Sequence, residues 1–333
     1  MIRLIVPVVL ALLLAACAPA APGADVADIG QTSTEAPTDA PAEPTPAPTD
    51  PPEPTASPTP PPTPTSVPTP TGLPETLIDP HGVEMVLVPE GEFIMGSDDG
   101  LPDERPVHTV YLDAFYIDKY ETTNAEYRAC VEAGVCDPPA FQDCCGEPSH
   151  PQWPSLYPDY FTNPEFDNYP VTWLSWNHAN TYCQWRGARL PTEAEWEKAA
   201  RGTDGRTYPW GEEPPRPGLL NFMWGIGQYN ERPAYGTVPV GSYPDGVSPY
   251  GVHDMLGNVY EWVYDKYAAD YYANSPYENP TGPEEGSNQI ARGGSFWNQG
   301  FRQRITNRNH TYLPPDGAHF DAGVRCAKDV PGE

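Results

Sequence analysis

Proline sets the first limit on what this chain can fold into. Of its 46 prolines, eighteen fall between residues 18 and 76, in a stretch of Pro, Thr and Ala with eight acids, no Lys or Arg and no aromatic residue. Such a segment has almost nothing to bury, so it cannot offset the entropy of ordering its backbone. Dense proline favours extended polyproline II instead, in which these 59 residues reach on the order of 180 Å at about 3.1 Å each. We read 18–76 as a stalk and expect folded structure only beyond it.

Upstream of the stalk, Arg3 precedes an apolar run, residues 4–16, that ends in Leu14-Ala15-Ala16-Cys17. The run is shorter than the ~20 residues of a lasting membrane span and reads as a secretory signal, 1–17. Its end resembles the lipobox of bacterial lipoproteins, in which the cysteine becomes the lipidated first residue. That resemblance implies a protein held at a membrane through Cys17, on the extracytoplasmic side, at the cell surface or in the periplasm.

The remainder, 77–329, holds all nine Trp and has the size of one large domain. Its charge is about −21, which makes nucleic acid an unsuitable partner. Setting Cys17 aside leaves six cysteines in an oxidising compartment, so three disulfides are the default. Cys130, Cys136, Cys144 and Cys145 form C-x5-C-x7-C-C, which lacks the short knuckle spacings of a zinc site. The pairing of Cys144 and Cys145 stays open.

Within the domain, Thr192 and Glu195 form a capping box that starts a helix; Trp196, Ala199 and Ala200 share one side, charged residues occupy the other, and Gly202 stops it. Ser175 opens a helix in which Trp176, Ala179 and Cys183 recur at i, i+3 and i+7, and Thr123 with Glu126 boxes a third. Residues 85–89 and 92–96 read as a hairpin, 108–117 as one strand and 322–327 as a closing strand. Glycine and aromatic clusters at 257–262 and 292–297 lie among loops.

Taken in order, the segments MVLVPEGEFIMGS, ERPVHTVYLDAFYIDKYETTNAEY, YPVTWLSWNHANTYCQWRGARLPTEAEWEKAARG, YPWG, TVPVGSY, YGVHDMLGNVYEW, RGGSFW and AGVRCA span nearly all of 85–327. This series resembles the sulfatase-modifying factor family, whose founding activity is the formylglycine-generating enzyme. The resemblance implies a single, loop-rich α+β domain, a variant of the C-type lectin fold. It also implies a disulfide from Cys183 to Cys326. Cys130 with Cys136 is a pairing suggested by nearness alone.

In active family members two cysteines downstream of Gly-Gly-Ser bind copper and use oxygen to convert a sulfatase cysteine to formylglycine; soft thiolates suit Cu(I). Ser295 matches the family serine, but the first copper position falls on Asn298 and the second on Gln303 or, allowing one gap, Arg302, and no cysteine occurs between Cys183 and Cys326. Copper is therefore not expected. Neither an H-x3-H-x-E iron set nor a Gly-x-Ser-x-Gly elbow is present. His310 and His319 share a polar segment with Asp316 and Asp321 that reads as exposed loop, with metal binding as the alternative. Calcium is expected from the family at Asp254, Gly257, Val259 and Glu261, where two carboxylates and two carbonyls offer hard oxygens. A second family calcium position maps to Asn221 and the Phe222 carbonyl, but its later acid has no counterpart before Gly236.

Two functions follow. One is a surface scaffold that binds an extracytoplasmic protein, peptide or glycan beside Ser295, Trp297, Asn298, Arg302 and Gln303. The other is an oxidoreductase of the formylglycine-generating type with an altered active site.

Overall fold

The computed structural model describes residues 72–139, 159–223, 236–286, 288–309 and 314–330. It divides into units Met1–Pro62 and Thr63–Glu333, and every described residue lies in the second. The signal with Cys17, nearly all of the stalk, Cys144, Cys145 and His310 lie outside the described residues.

All three helix starts read from the sequence open helices. Helix α1 (Asn124–Glu132) begins where Thr123 Oγ1 accepts from Glu126 N at 3.3 Å and Glu126 Oε2 accepts from Thr123 N at 2.8 Å. In α2 (Trp176–Trp185) Ser175 has the same reciprocal arrangement with His178, whose Nδ1 stands in for a carboxylate oxygen. Thr192 and Glu195 box α3 (Glu193–Arg201), and Gly202 ends it at φ 69°, a backbone region L side chains avoid.

The expected charged outer side of α3 is not exposed. All nine of its residues are buried, because the helix runs between strands of two different sheets and has no solvent face. Its charges are paired internally: Arg292 bonds Glu193 at 2.7 Å and Glu197 at 2.6 Å, Arg308 bonds Glu193 at 2.8 Å, and Arg201 bonds Glu197 at 2.9 Å. Burial would raise the Glu193 carboxyl, but Arg308 and Arg292 beside it hold it below its ordinary value.

The first sheet is antiparallel in the order β1-β2-β5-β9: β1 (Thr76–Ile78), β2 (Glu84–Val88), β5 (Phe115–Asp118) and β9 (Ala327–Asp329). Strands β3 (Gly91–Met95) and β4 (His108–Leu112) pair with each other. A third sheet has β6 (Tyr260–Lys266) between antiparallel β7 (Gln289–Arg292) and parallel β8 (Ala322–Gly323).

Three strand expectations change. β2 and β3 are consecutive but form no hairpin; β2 pairs with β1 and β5, and β3 crosses to β4. Pro89 has no amide to continue the ladder, and Gly91 at φ 128° turns the chain out of the first sheet. The single strand over 108–117 splits at Asp113, whose N–H goes to Asn279 Oδ1 instead of a strand. The closing strand likewise divides into β8 and β9 around Arg325, which turns inward to Glu261. The stalk also ends earlier than composition suggests: Leu73 packs on the Met85, Leu87 and Tyr116 cluster, and Tyr116 Oη donates to the Pro74 carbonyl at 2.9 Å.

Disulfides join Cys183 to Cys326 and Cys130 to Cys136. The first ties α2 to the residue before β9, inside the core that Tyr127, Tyr182, Leu190 and Trp262 fill.

Candidate functional site

Strand β7 ends at Arg292, and Gly293 (φ 91°) with Gly294 (φ 72°) then turns the chain sharply. A Cβ on Gly294 would sit 2.6 Å from Gln303 Oε1, so the turn needs glycine for space as well as for φ. The turn drives Ser295 inward, to zero exposure. Its Oγ lies 2.5 Å from Asp321 Oδ2 and 3.0 Å from Asn298 Oδ1; one proton serves both, and the shorter, charge-assisted bond to the carboxylate takes it. Asn298 Oδ1 also accepts from Ser295 N at 2.8 Å, and Gln303 Nε2 donates to the Ser295 carbonyl at 2.9 Å.

Asp321 is 2% exposed, and its other oxygen bonds His319 Nδ1. A hydrogen-bonded chain therefore runs from half-buried His319 through Asp321 to Ser295 and Asn298. Burial pushes His319 down, but the bond to Asp321 and its charge outweigh burial, so its pKa lies above 6.5. Tyr260 abuts the chain: burial and the Asp321 charge push its phenol well up, while Asn298 and Arg302 bond it. Phe320 faces Phe296, Trp297 and Trp173 at ring distances of 6.1, 6.2 and 6.3 Å. Trp173 holds φ 60°, uncommon for so bulky a residue.

A second cluster gathers three buried acids around one arginine. Glu261 takes both Arg325 Nη2 (2.6 Å) and Nε (2.7 Å), plus Trp196 Nε1 at 2.6 Å. Asp254, at φ 54°, accepts from Gly241 N at 2.6 Å. Glu121 accepts from Val259 N at 3.0 Å and Asn258 Nδ2 at 2.5 Å. Burial pushes Asp254 up to about 6, and burial with the charges of Asp254 and Glu261 raises Glu121 well above the usual carboxylate range. Arg325 alone does not compensate three carboxylates.

Residues 72–330 match the sulfatase-modifying factor enzyme 1-like domain. The chain belongs to this family. The formylglycine-generating enzyme of Streptomyces coelicolor is 36% identical over 282 residues, covering 74% of this chain and 89% of that protein. The hercynine oxygenase of Mycolicibacterium smegmatis is 33% identical over 280 residues, 74% of this chain and 61% of its own length. PvdO from Pseudomonas aeruginosa, a solved structure, gives a TM-score of 0.59 at 28% identity over 77% of this chain and 98% of that one. The loop-rich α+β architecture is the family's.

Of the five groove residues expected in this sulfatase-modifying factor domain, all gather around Ser295, but Ser295 and Gln303 are sealed. Trp297 and Asn298 are half-buried and Arg302 is exposed, so these three form the accessible part. Asp321 is a buried acceptor and not the loop acid that its setting suggested, while Asp316 is exposed. No group of three or more His, Cys, Asp or Glu able to hold a metal occurs among the described residues. A calcium at Asp254 and Glu261 would thus rely on the Gly257 and Val259 carbonyls, and most of the Glu261 acceptor capacity is already used. Asn221 brackets Gly236 O and Asn258 Oδ1 with its amide, at 2.7 and 3.1 Å, a structural tie with no carboxylate in it. Glu121, Tyr260 and Trp173 went unrecognised from sequence; all three lie in segments that carry the family resemblance, the one available signal.

Proposed function

We propose that this domain is a ligand- or partner-binding scaffold at an extracytoplasmic membrane surface, with Trp297, Asn298 and Arg302 as its accessible binding residues, and not a copper-dependent formylglycine generator. One observation carries the reading. Where the family resemblance puts two copper thiolates, this chain has Asn298, committed to Ser295, and Gln303, fully buried. Neutral amides bind soft Cu(I) poorly. Arg302 suits a carboxylate or other anion, and Trp297 offers a stacking face. Arg302→Ala is expected to abolish capture of the extracytoplasmic ligand with little change in thermal stability, and Asn298→Ala to abolish it at some cost in stability, since buried Ser295 N loses its acceptor; undiminished capture by both variants contradicts this placement.

The formylglycine-generating enzyme and hercynine oxygenase named above are enzymes, which favours an oxidoreductase with altered chemistry as the second reading. In that case the His319, Asp321 and Ser295 chain would supply the proton-handling groups.

Two further parts of the proposal concern the anchor and calcium. Lipidation at Cys17 holds the protein at the membrane, and Cys17→Ala moves it to the soluble extracytoplasmic fraction. Asp254 and Glu261, with Arg325 as the one cation bonded to Glu261, fit a hard cation seated at Asp254, with Asn221 and Phe222 a weaker second position. Chelation is expected to lower the melting temperature, and calcium to restore it. An unmoved melting temperature rules out both positions.

A further inference from the structure

A cleft of about 530 Å³ opens where β4 meets β5 and α3 begins, and it shares no lining residue with the Ser295 site. Its volume falls within the ~300–1,000 Å³ usual for small-molecule sites. Buried Leu112, Phe115 and Leu190 contribute apolar lining, and Tyr264, 49% exposed, also borders it.

The polar walls are held by one another. Arg189 is bidentate to Glu195 at 2.7 and 2.7 Å and also bonds Asp329 at 2.9 and 2.5 Å, so it offers no free cation to an anionic ligand. Asp113 and Asn279 lock one another: Asp113 N donates to Asn279 Oδ1 at 3.0 Å, and Asn279 Nδ2 donates to Asp113 Oδ2 at 2.8 Å. Lys198 lies close enough to Asp113 and Glu195 for their charges to act on it, although burial brings it down to about 8. The residual negative charge sits on Asp329, whose side chain is 76% exposed and well solvated, and on exposed Asp113, which has no ion pair among the described residues.

What remains for a ligand is specific. Among the described residues no hydrogen bond uses Asp113 Oδ1 or the Tyr264 hydroxyl, and the Asn279 amide has a second proton. An acceptor and a donor held side by side match vicinal hydroxyls, each of which can donate and accept. The Tyr264 ring and the apolar lining match the C–H face of a sugar ring. We propose that this cleft binds a neutral pyranose unit. This is independent of the Ser295 reading.

Saturation-transfer NMR on the full chain, with the methyl glycosides of glucose, galactose and N-acetylglucosamine as probes, tests it. At least one glycoside is expected to show transfer, with Tyr264→Ala weakening its affinity about tenfold at unchanged melting temperature and Asn279→Ala doing so at a somewhat lower one, since its φ of 43° favours asparagine. Asn298→Ala should leave glycoside binding intact, which separates failure here from failure of the groove. Absence of transfer from all three glycosides overturns the proposal. So does equal binding by both cleft variants, or salt-sensitive binding of cadaverine at the cleft in place of the sugars.

Discussion

Asp321 shows what a residue list leaves out. On paper it is one more acid in a polar loop beside His319 and Asp316; in the fold it is 2% exposed and joins His319 to Ser295. Its burial depends on a serine 26 positions away, a relation no local spacing displays. The pairing makes a pH prediction. His319 has its pKa raised above 6.5 in the folded protein, burial opposing and Asp321 prevailing. A raised histidine contributes stability that is complete below the unfolded value and lost as pH rises through the folded value. The stability gap between wild type and His319→Gln should therefore be widest below pH 6.5 and close above it. Measuring melting temperature against pH for both proteins checks this, and a gap that does not change with pH contradicts it.

Helix α3 is the element the sequence marks most clearly and also the one whose setting it hides. Capping chemistry is local, so Thr192, Glu195 and Gly202 announce both ends. Burial is not local. The long-range partners of Glu193 and Glu197 are Arg292 and Arg308, about a hundred residues downstream. The same distance dependence explains the strand errors: β5 sits between β2 and β9, and Phe115 pairs with Asp329, a register that no alternation in 108–117 reveals. Arg292→Ala leaves two buried carboxylates short of a partner and is expected to cost about 3–5 kcal/mol in denaturant unfolding. Thr192→Ala, which removes one cap bond, should cost about 1 kcal/mol. Equal effects would mean that the buried network does not dominate.

At the scale of the whole molecule, the ordered family segments made the fold and the Cys183–Cys326 bridge legible, because both accompany the whole series and not any single motif. The bridge spans 143 positions, and the chain-entropy account puts its contribution at roughly 5 kcal/mol. A Cys183→Ala, Cys326→Ala double variant should unfold at much lower temperature, and a shift of only a degree or two contradicts that account. The proposed function was less legible, since that reading depends on which groove residues reach solvent: Trp297, Asn298 and Arg302 do, Ser295 and Gln303 do not. The central claim is that the altered groove binds without copper chemistry. It is tested most directly by oxygen uptake and aldehyde formation when the purified, copper-loaded protein meets a cysteine peptide bearing the sulfatase motif. The account predicts neither above the copper-only background; copper-dependent uptake with formylglycine in the peptide would contradict it.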